Sequence, residues 1–447
     1  MEDNILLTDK VSSLIKKFAI PAIISMVIAG IQTMIDGIFV GNVLGSNGMA
    51  SVTLASPFMN LVIGLSMVVS IGSQSYMSIA LGDGNKEKAQ NIFKTFIYFI
   101  IVVGGLITLL GFFFSTEIAK ILGADNTLVA DVAIYIKCLS IYTIPLSIMF
   151  LFGFTARILE KPELYFKATL LSLISNIGLN YFLIYKLSLG IKGAAIATGL
   201  AYSLGLVVVI WPVLKKDSPL NIFKGKFDKN EILPVLYNGS SEGINSISAA
   251  VSAYIFNLAF MNIAGADGVA AFTAINYIAQ FGIMVMFGIS DGIGPIISYN
   301  YGNKRYDRVK ETMDKSKKII LAVNLSIFLI LVFFGKQLTT IFIQNNDVIT
   351  NLVASGSKLY AIGFLFAGFN IVNSGYFTYI DQATNSIIVA ASRGLIFIII
   401  GIIILPKFLD ISGVWLCIPF AEVITYLITL KLMNNSNKVV YGIRSQV

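Results

Sequence analysis

The sequence contains no histidine and only two cysteines, Cys138 and Cys417. The first absence excludes a histidine acid–base site, a Ser-His-Asp triad and a histidine zinc centre. Both cysteines fall in apolar stretches and read as inert packing residues. No G-x-x-x-x-G-K-[ST] string occurs, so there is no P-loop and no ATP-driven motor of that kind. Without a catalytic constellation, no enzyme is expected. Uphill transport would have to draw on an ion gradient, on the substrate's own gradient or on a separate subunit. Charge is also scarce, at 13 % Asp, Glu, Lys and Arg. The first apolar run is too long for the core of a secretory signal, and no A-x-A-like cleavage site follows it, so it reads as a retained first helix.

What remains is a chain built for lipid. Hydrophobic residues make up 56 % of it and the mean hydropathy is +0.82, which overrules the about three soluble domains that length alone would allow. Apolar runs of spanning length recur from end to end, and their spacing fits helices rather than ~10-residue barrel strands. The expectation is an all-α integral membrane protein with 12 transmembrane helices near 14–41, 49–81, 91–114, 128–153, 163–186, 191–214, 232–261, 268–301, 317–336, 348–379, 385–405 and 411–432. The one long polar interruption, 215–231, reads as a cytoplasmic linker with a solvated, lipid-facing lysine run. It separates an N-terminal six-helix lobe, 1–214, from a C-terminal six-helix lobe with a short cytoplasmic tail, 232–447.

The net charge of +8 sits in short loops and describes topology rather than a nucleic-acid patch. Only Lys120, Lys186, Lys192, Lys336 and Lys407 lie on the side opposite the N-terminus, and Lys137 and Lys358 fall in or near spans. The other basic residues share one side, which puts both termini in the cytoplasm of a plasma-membrane protein.

The two halves are copies. Gly45-Ser-Asn-Gly48-Met-Ala50 matches Gly265-Ala-Asp-Gly268-Val-Ala270, 220 residues on. The same offset pairs Gly72 with Gly292 and Gly82 with Gly302, and an offset of 221 pairs Lys137 with Lys358. Six helices per half make the repeats parallel, related by a pseudo-twofold axis along the membrane normal. Such repeats point to a transporter with a midplane site between rocking lobes, although repeats alone would also fit a channel.

One carboxylate stands out. Phe18–Ile35 carries no charge, and Asp36 follows inside an apolar run that continues to Val40. An acid there is costly unless it faces protein, water or a cation, so it marks a functional site by default. Asp36 is 19 residues from Lys17, about 28 Å along a helix, and the competing reading is a helix-end acid in the wet interface. Gln32 shares a helix face with Asp36 at i, i+4, and Thr33 is three residues away. Asn176 and Asn180 share another face. A lone carboxylate among such oxygens can exchange a proton for a cation, because loss of water favours the neutral acid and a bound ion favours the anion. Pro21, 15 residues before Asp36, removes a helix hydrogen bond and permits a kink, the competing reading being a tolerated proline near a helix start.

Several segments resemble the multidrug and toxic compound extrusion (MATE) family. Pro21…Asp36-Gly-Ile-Phe-Val-Gly41-Asn-Val-Leu-Gly45 looks like its first helix, and Ile293-Gly-Pro-Ile-Ile-Ser-Tyr299-Asn-Tyr-Gly302-Asn looks like the end of its eighth. Arg157…Pro162, Gly193-Ala-Ala-Ile-Ala-Thr198 and Gly413-Val-Trp415 also match that family in order. The resemblance implies two six-helix lobes exporting organic cations in exchange for Na⁺ or H⁺. One branch of the family uses an N-lobe cation site whose positions match Asp36, Asn176, Asn180 and Thr198, with Asn180 replacing a second acid. Another branch uses a seventh-helix Glu at the repeat equivalent of Asp36, where this chain has Phe256. The resemblance therefore assigns cation coupling to Asp36, as a site for H⁺ or Na⁺, and bending to Pro21.

Two further acids concern the substrate. Glu242 is 11 residues from Glu231 and Asp291 is 11 from Gly302, which places both about 16 Å from the cytoplasmic face, near the midplane. Two acids at one depth suit a lipophilic cation, with aromatic faces adding cation–π contacts. Structural pairing with Lys or Arg is the competing reading. Gln74, Asn276 and Gln280 are expected to line the same cavity, Glu422 is undecided, and Arg157 and Arg393 are expected to snorkel to the cytoplasmic face. The reading as a whole is a monomeric multidrug efflux antiporter that needs no cofactor beyond its coupling ion. The alternative is a flippase of the same superfamily for lipids or lipid-linked oligosaccharides, which would call for midplane cations where this chain has acids.

Overall fold

The computed structural model describes residues 4–339 and 347–442. The last residues of the expected C-terminal tail, with Arg444, lie outside the described residues. No β-strand occurs among the described residues. Among the described residues, eight helices are long and apolar enough to cross a membrane, or nine when the bent pair Val129–Ser140 and Thr143–Ile158 counts as one span. Three of them each contain one non-helical residue, Gly45, Gly265 or Asp410. Divided there, the described residues form twelve spans in the expected order: 11–44, 46–82, Lys86–Phe113, 129–158, Pro162–Lys186, Gly190–Leu214, 232–264, 266–302, Tyr306–Thr339, Asp347–Tyr379, 383–409 and 411–442.

The backbone repeats as the sequence does. Gly45 (φ 70°, ψ −163°) and Gly265 (φ 63°, ψ −154°) turn the chain alike, in a region that only glycine enters readily. Positive φ also recurs at Gly84 and Lys304, at Gly190 and Asp410, and at Glu160 and Asp381, each pair 220 or 221 residues apart. Three elements depart from expectation, the twelfth span by running on to Gly442 where an end near 432 was expected. The fourth span bends by 50° at residues 141–142, because Pro145 has no N–H to offer Ile141 and its ring crowds that turn. The ninth span begins at Tyr306 rather than near 317, since the charged run from Tyr306 to Lys318 is itself helical.

Packing divides the chain into two compact units, Met1–Thr8 with Ile20–Gly239, and Asp9–Ala19 with Ser240–Val447. In the first, the second span meets the start of the seventh helix so closely that a Cβ on Gly72 would overlap the Val235 carbonyl and lie 3.2 Å from the Gly239 nitrogen. In the second, a Cβ on Gly292 would lie 2.8 Å from the nitrogen and 3.0 Å from the Cβ of Ala19. Gly72 and Gly292 are repeat partners, and so are Ala19 and Gly239. The duplication therefore reaches down to which backbones touch.

The linker corrects one expectation. Its lysine side chains are exposed, as anticipated, but its backbone is strapped to the third span within the first unit. Gln90 Nε2 donates to the carbonyls of Asn221 (2.7 Å) and Lys224 (3.0 Å), and the Asn221 N–H donates back to Gln90 Oε1 (2.7 Å). Lys94 donates to the Ile222 carbonyl, the Asp228 N–H to Thr95 Oγ1, and Lys88 pairs with Glu231 at 3.3 Å. Buried backbone groups need partners, and the polar side chains of the third span's first turns supply them.

Candidate functional site

In the first unit, three spans bring polar groups to Asp36. Asn180 Nδ2 donates to Asp36 Oδ1 at 2.6 Å and to Asn176 Oδ1 at 3.1 Å, and Thr198 Oγ1 donates to Asp36 Oδ2 at 3.4 Å. Asn176, Asn180 and Thr198 are buried and Asp36 is half-buried. Asn176 and Asn180 meet the site together because they lie one turn apart on the fifth span. That span then widens into a π-helix from Tyr181 to Lys186, immediately after Asn180, a distortion often found at functional sites. Gln32, buried one turn before Asp36, accepts from Ser172 at 3.5 Å. Thr33 does not join them: it is exposed and its hydroxyl donates to Ala29 of its own helix. Pro21 lies within the long first helix, and its carbonyl accepts from Ser25 Oγ at 2.7 Å.

Three neighbours were not visible as site residues in the sequence. Ser172 touches Gln32, and the buried Tyr135 and the sixth-span Tyr202 lie within electrostatic reach of Asp36. A tyrosine in an apolar run gives no sign of whether its hydroxyl faces a site. No lysine or arginine lies within ion-pair distance of Asp36 among the described residues. Asn176 Nδ2 and Asn180 Oδ1 are buried without a hydrogen-bond partner. A carboxylate beside an orphaned amide oxygen, with a hydroxyl across from it, is a donor set that fits a proton or a hard monovalent cation. Rotating the Asn180 amide would turn its oxygen toward Asp36, and amide orientation follows the bonding network.

In the second unit, Glu242 is half-buried, accepts from Asn245 Nδ2 at 3.5 Å, and feels the charges of Asp291 and Arg393. Asp291 is buried. Asn276 is half-buried and Gln280 exposed on the eighth span. Gln74 belongs to the first unit, where it is buried with neither amide atom hydrogen bonded. Phe256, the repeat partner of Asp36, packs with Phe260, Phe272 and Trp415, with ring centroids 4.5–5.2 Å apart along the Phe256–Phe272–Phe260–Trp415 chain.

Neither arginine snorkels. Arg157 is buried, with its guanidinium 4.3 Å from the Phe154 ring and 4.9 Å from the Tyr165 ring. Arg393, on the π-helical turn Ser392–Ile396, donates from Nε (3.1 Å) and Nη2 (2.7 Å) to Glu422 Oε1. Asn370 Nδ2 donates to Glu422 Oε2 at 2.7 Å. Glu422, undecided from sequence, is thus one half of a buried ion pair. Snorkelling was the wrong expectation because the acid that holds Arg393 is 29 residues away, on the next helix.

Twelve apolar helices in two copies of one pattern, with acids inside the spans, define a multi-pass helical membrane transporter. The chain belongs to the MatE family, whose profile matches it twice, over residues 21–182 and 243–403. Multidrug export protein MepA of Staphylococcus aureus (strain bovine RF122 / ET3-1) is 24 % identical over 438 residues, covering 95 % of this chain and 96 % of that protein. MepA of Staphylococcus saprophyticus is 23 % identical over 422 residues, covering 93 % and 92 %. A solved structure described as the outward-facing conformation of a multidrug resistance MATE family transporter shares the fold, with a TM-score of 0.90 at 21 % identity over 98 % of this chain and 99 % of that one.

Proposed function

We propose that this chain is a secondary antiporter of the plasma membrane, with both termini cytoplasmic, that exports lipophilic organic cations in exchange for H⁺ or Na⁺. The observation that carries the proposal is the contrast between two intramembrane acids. Glu422 is neutralised by Arg393, whereas among the described residues Asp36 meets only amide and hydroxyl groups. An uncompensated carboxylate at such a position is stable when it holds a proton or a cation. Asp36 is then the exchangeable site, with Asn176, Asn180, Thr198 and Gln32 as the neutral groups around it. Relatives named as multidrug export proteins over nearly the whole chain support efflux as the process.

Glu242 and Asp291 are the proposed substrate-binding acids, since two like charges in one buried region are relieved by a cation. Pro21 is the proposed bending point, because the helix hydrogen bond it lacks lies at the place where the first helix passes from one compact unit to the other. Coupling follows if ion and substrate favour different states of the protein. The chain works as a monomer, needing only its coupling ion and the bilayer.

Efflux of ethidium from vesicles, compared between wild type and Glu242→Gln/Asp291→Asn, tests the substrate assignment. The double variant should raise the apparent KM for the cation about tenfold or more, the loss expected when a charge-assisted contact is removed. An unchanged KM for cations would remove these acids from the substrate site.

A further inference from the structure

A cavity of about 450 Å³ lies within the second unit. It falls within the ~300–1,000 Å³ usual for small-molecule sites. Lys310 and Lys317, two turns apart on the ninth span, line one wall, and Asn434, Asn437 and Lys438 of the twelfth line another. The inner surface is apolar, formed by Met313, Met433 and the buried ring of Tyr376. Among the described residues Asp314 is the single acid at its edge, so their lining carries three positive charges against one negative.

The side chains of the three lysines make no hydrogen bond or ion pair with any described residue, and neither do those of Asp314, Asn434 or Asn437. Neighbouring charges are already committed: Glu311 is paired with Lys315 at 2.6 Å, and Arg305 with Asp307 at 3.2 Å. The height of the cavity is equally informative. Along the ninth helix the sequence changes from charged to apolar between Lys318 and Ile319, one residue beyond Lys317. The cavity therefore sits where the helices leave the hydrocarbon, at the level of lipid headgroups.

We propose that this cavity binds the phosphate headgroup of an anionic phospholipid from the leaflet at that end of the protein. Lys310, Lys317 and Lys438 meet the phosphodiester, the two asparagine amides donate to its oxygens or to the headgroup hydroxyls, and the methionine and tyrosine surface receives the start of the acyl region. A free phosphate ion would use the lysines and amides but leave the apolar floor idle. A zwitterionic headgroup would bring its ammonium against three like charges. The site is independent of ion coupling at Asp36.

The test uses the purified full-length protein in neutral detergent, by native mass spectrometry and thermal unfolding. Phosphatidylglycerol is compared with phosphatidylcholine of the same chains and with inorganic phosphate. Phosphatidylglycerol should be retained and should raise the unfolding temperature more than either of the others. Lys317→Gln/Lys438→Gln should weaken its retention about thirtyfold, from roughly fivefold per lysine near an anionic headgroup, while Lys407→Gln changes nothing. Asp314→Asn should tighten binding, which keeps the test decisive if the double variant folds poorly. Equal retention of phosphatidylcholine, an equal shift with inorganic phosphate, or unchanged phosphatidylglycerol binding in the double variant would each overturn the proposal.

Discussion

Arg393 and Glu422 form an ion pair whose side chains are 12 % and 6 % exposed, and this permits a quantitative forecast. Removing one partner of a buried pair costs about 3–5 kcal/mol, because the other charge is stranded. The two single variants should differ. Glu422→Gln keeps the shape and the contact with Asn370, yet strands a guanidinium that cannot lose its proton. It belongs at the top of that range. Arg393→Met strands a carboxylic acid that can take up a proton, so it belongs near the bottom. Replacing both by methionine removes the desolvation cost along with the attraction and should bring stability back to within about 1 kcal/mol of wild type. The assay is unfolding by denaturant titration in mixed micelles, analysed as a double-mutant cycle. Single variants that each cost under about 1 kcal/mol, and that add in the double variant, would refute the pair as a structural element of the second unit.

Three other outcomes concern packing, backbone conformation and the linker. Gly292→Ala and Gly72→Ala should each cost about 1–3 kcal/mol, since a methyl there meets backbone that cannot yield; Gly105→Ala, with open space around it, should be neutral or mildly stabilising in the same unfolding assay. Gly45→Ala meets no atom within 4 Å and should still cost about 1–3 kcal/mol through its backbone conformation alone. Gln90→Ala should free the linker by removing three hydrogen bonds, and limited trypsin digestion should then cut at the linker lysines at least about tenfold faster, as a local loss of ~1–3 kcal/mol implies.

Much of the architecture was legible because a bilayer imposes length and polarity on each helix, and because duplication leaves paired glycines. The offset of 220 read from Gly45 and Gly265 reappears in their dihedrals and in the contacts of Gly72 and Gly292. The bend at residues 141–142 was missed because hydropathy runs straight through it. At the candidate site, Asp36, Asn176, Asn180 and Thr198 converge, since polar residues one turn apart on apolar helices must share a destination. Thr33 satisfies itself on its own helix, an option open to any threonine in a span. Tyr135, Tyr202 and the Arg393–Glu422 pair depend on which helices are neighbours, and one strand of sequence does not carry that information.

The central claim is that Asp36 exchanges an ion for substrate. The direct measurement is ethidium efflux from vesicles under a Na⁺ gradient and a pH gradient imposed separately, for wild type and for Asp36→Asn. One gradient should drive efflux by the wild type, and the variant should fall to the rate seen without a gradient while still binding ethidium. Wild-type efflux by Asp36→Asn under the driving gradient would contradict the account.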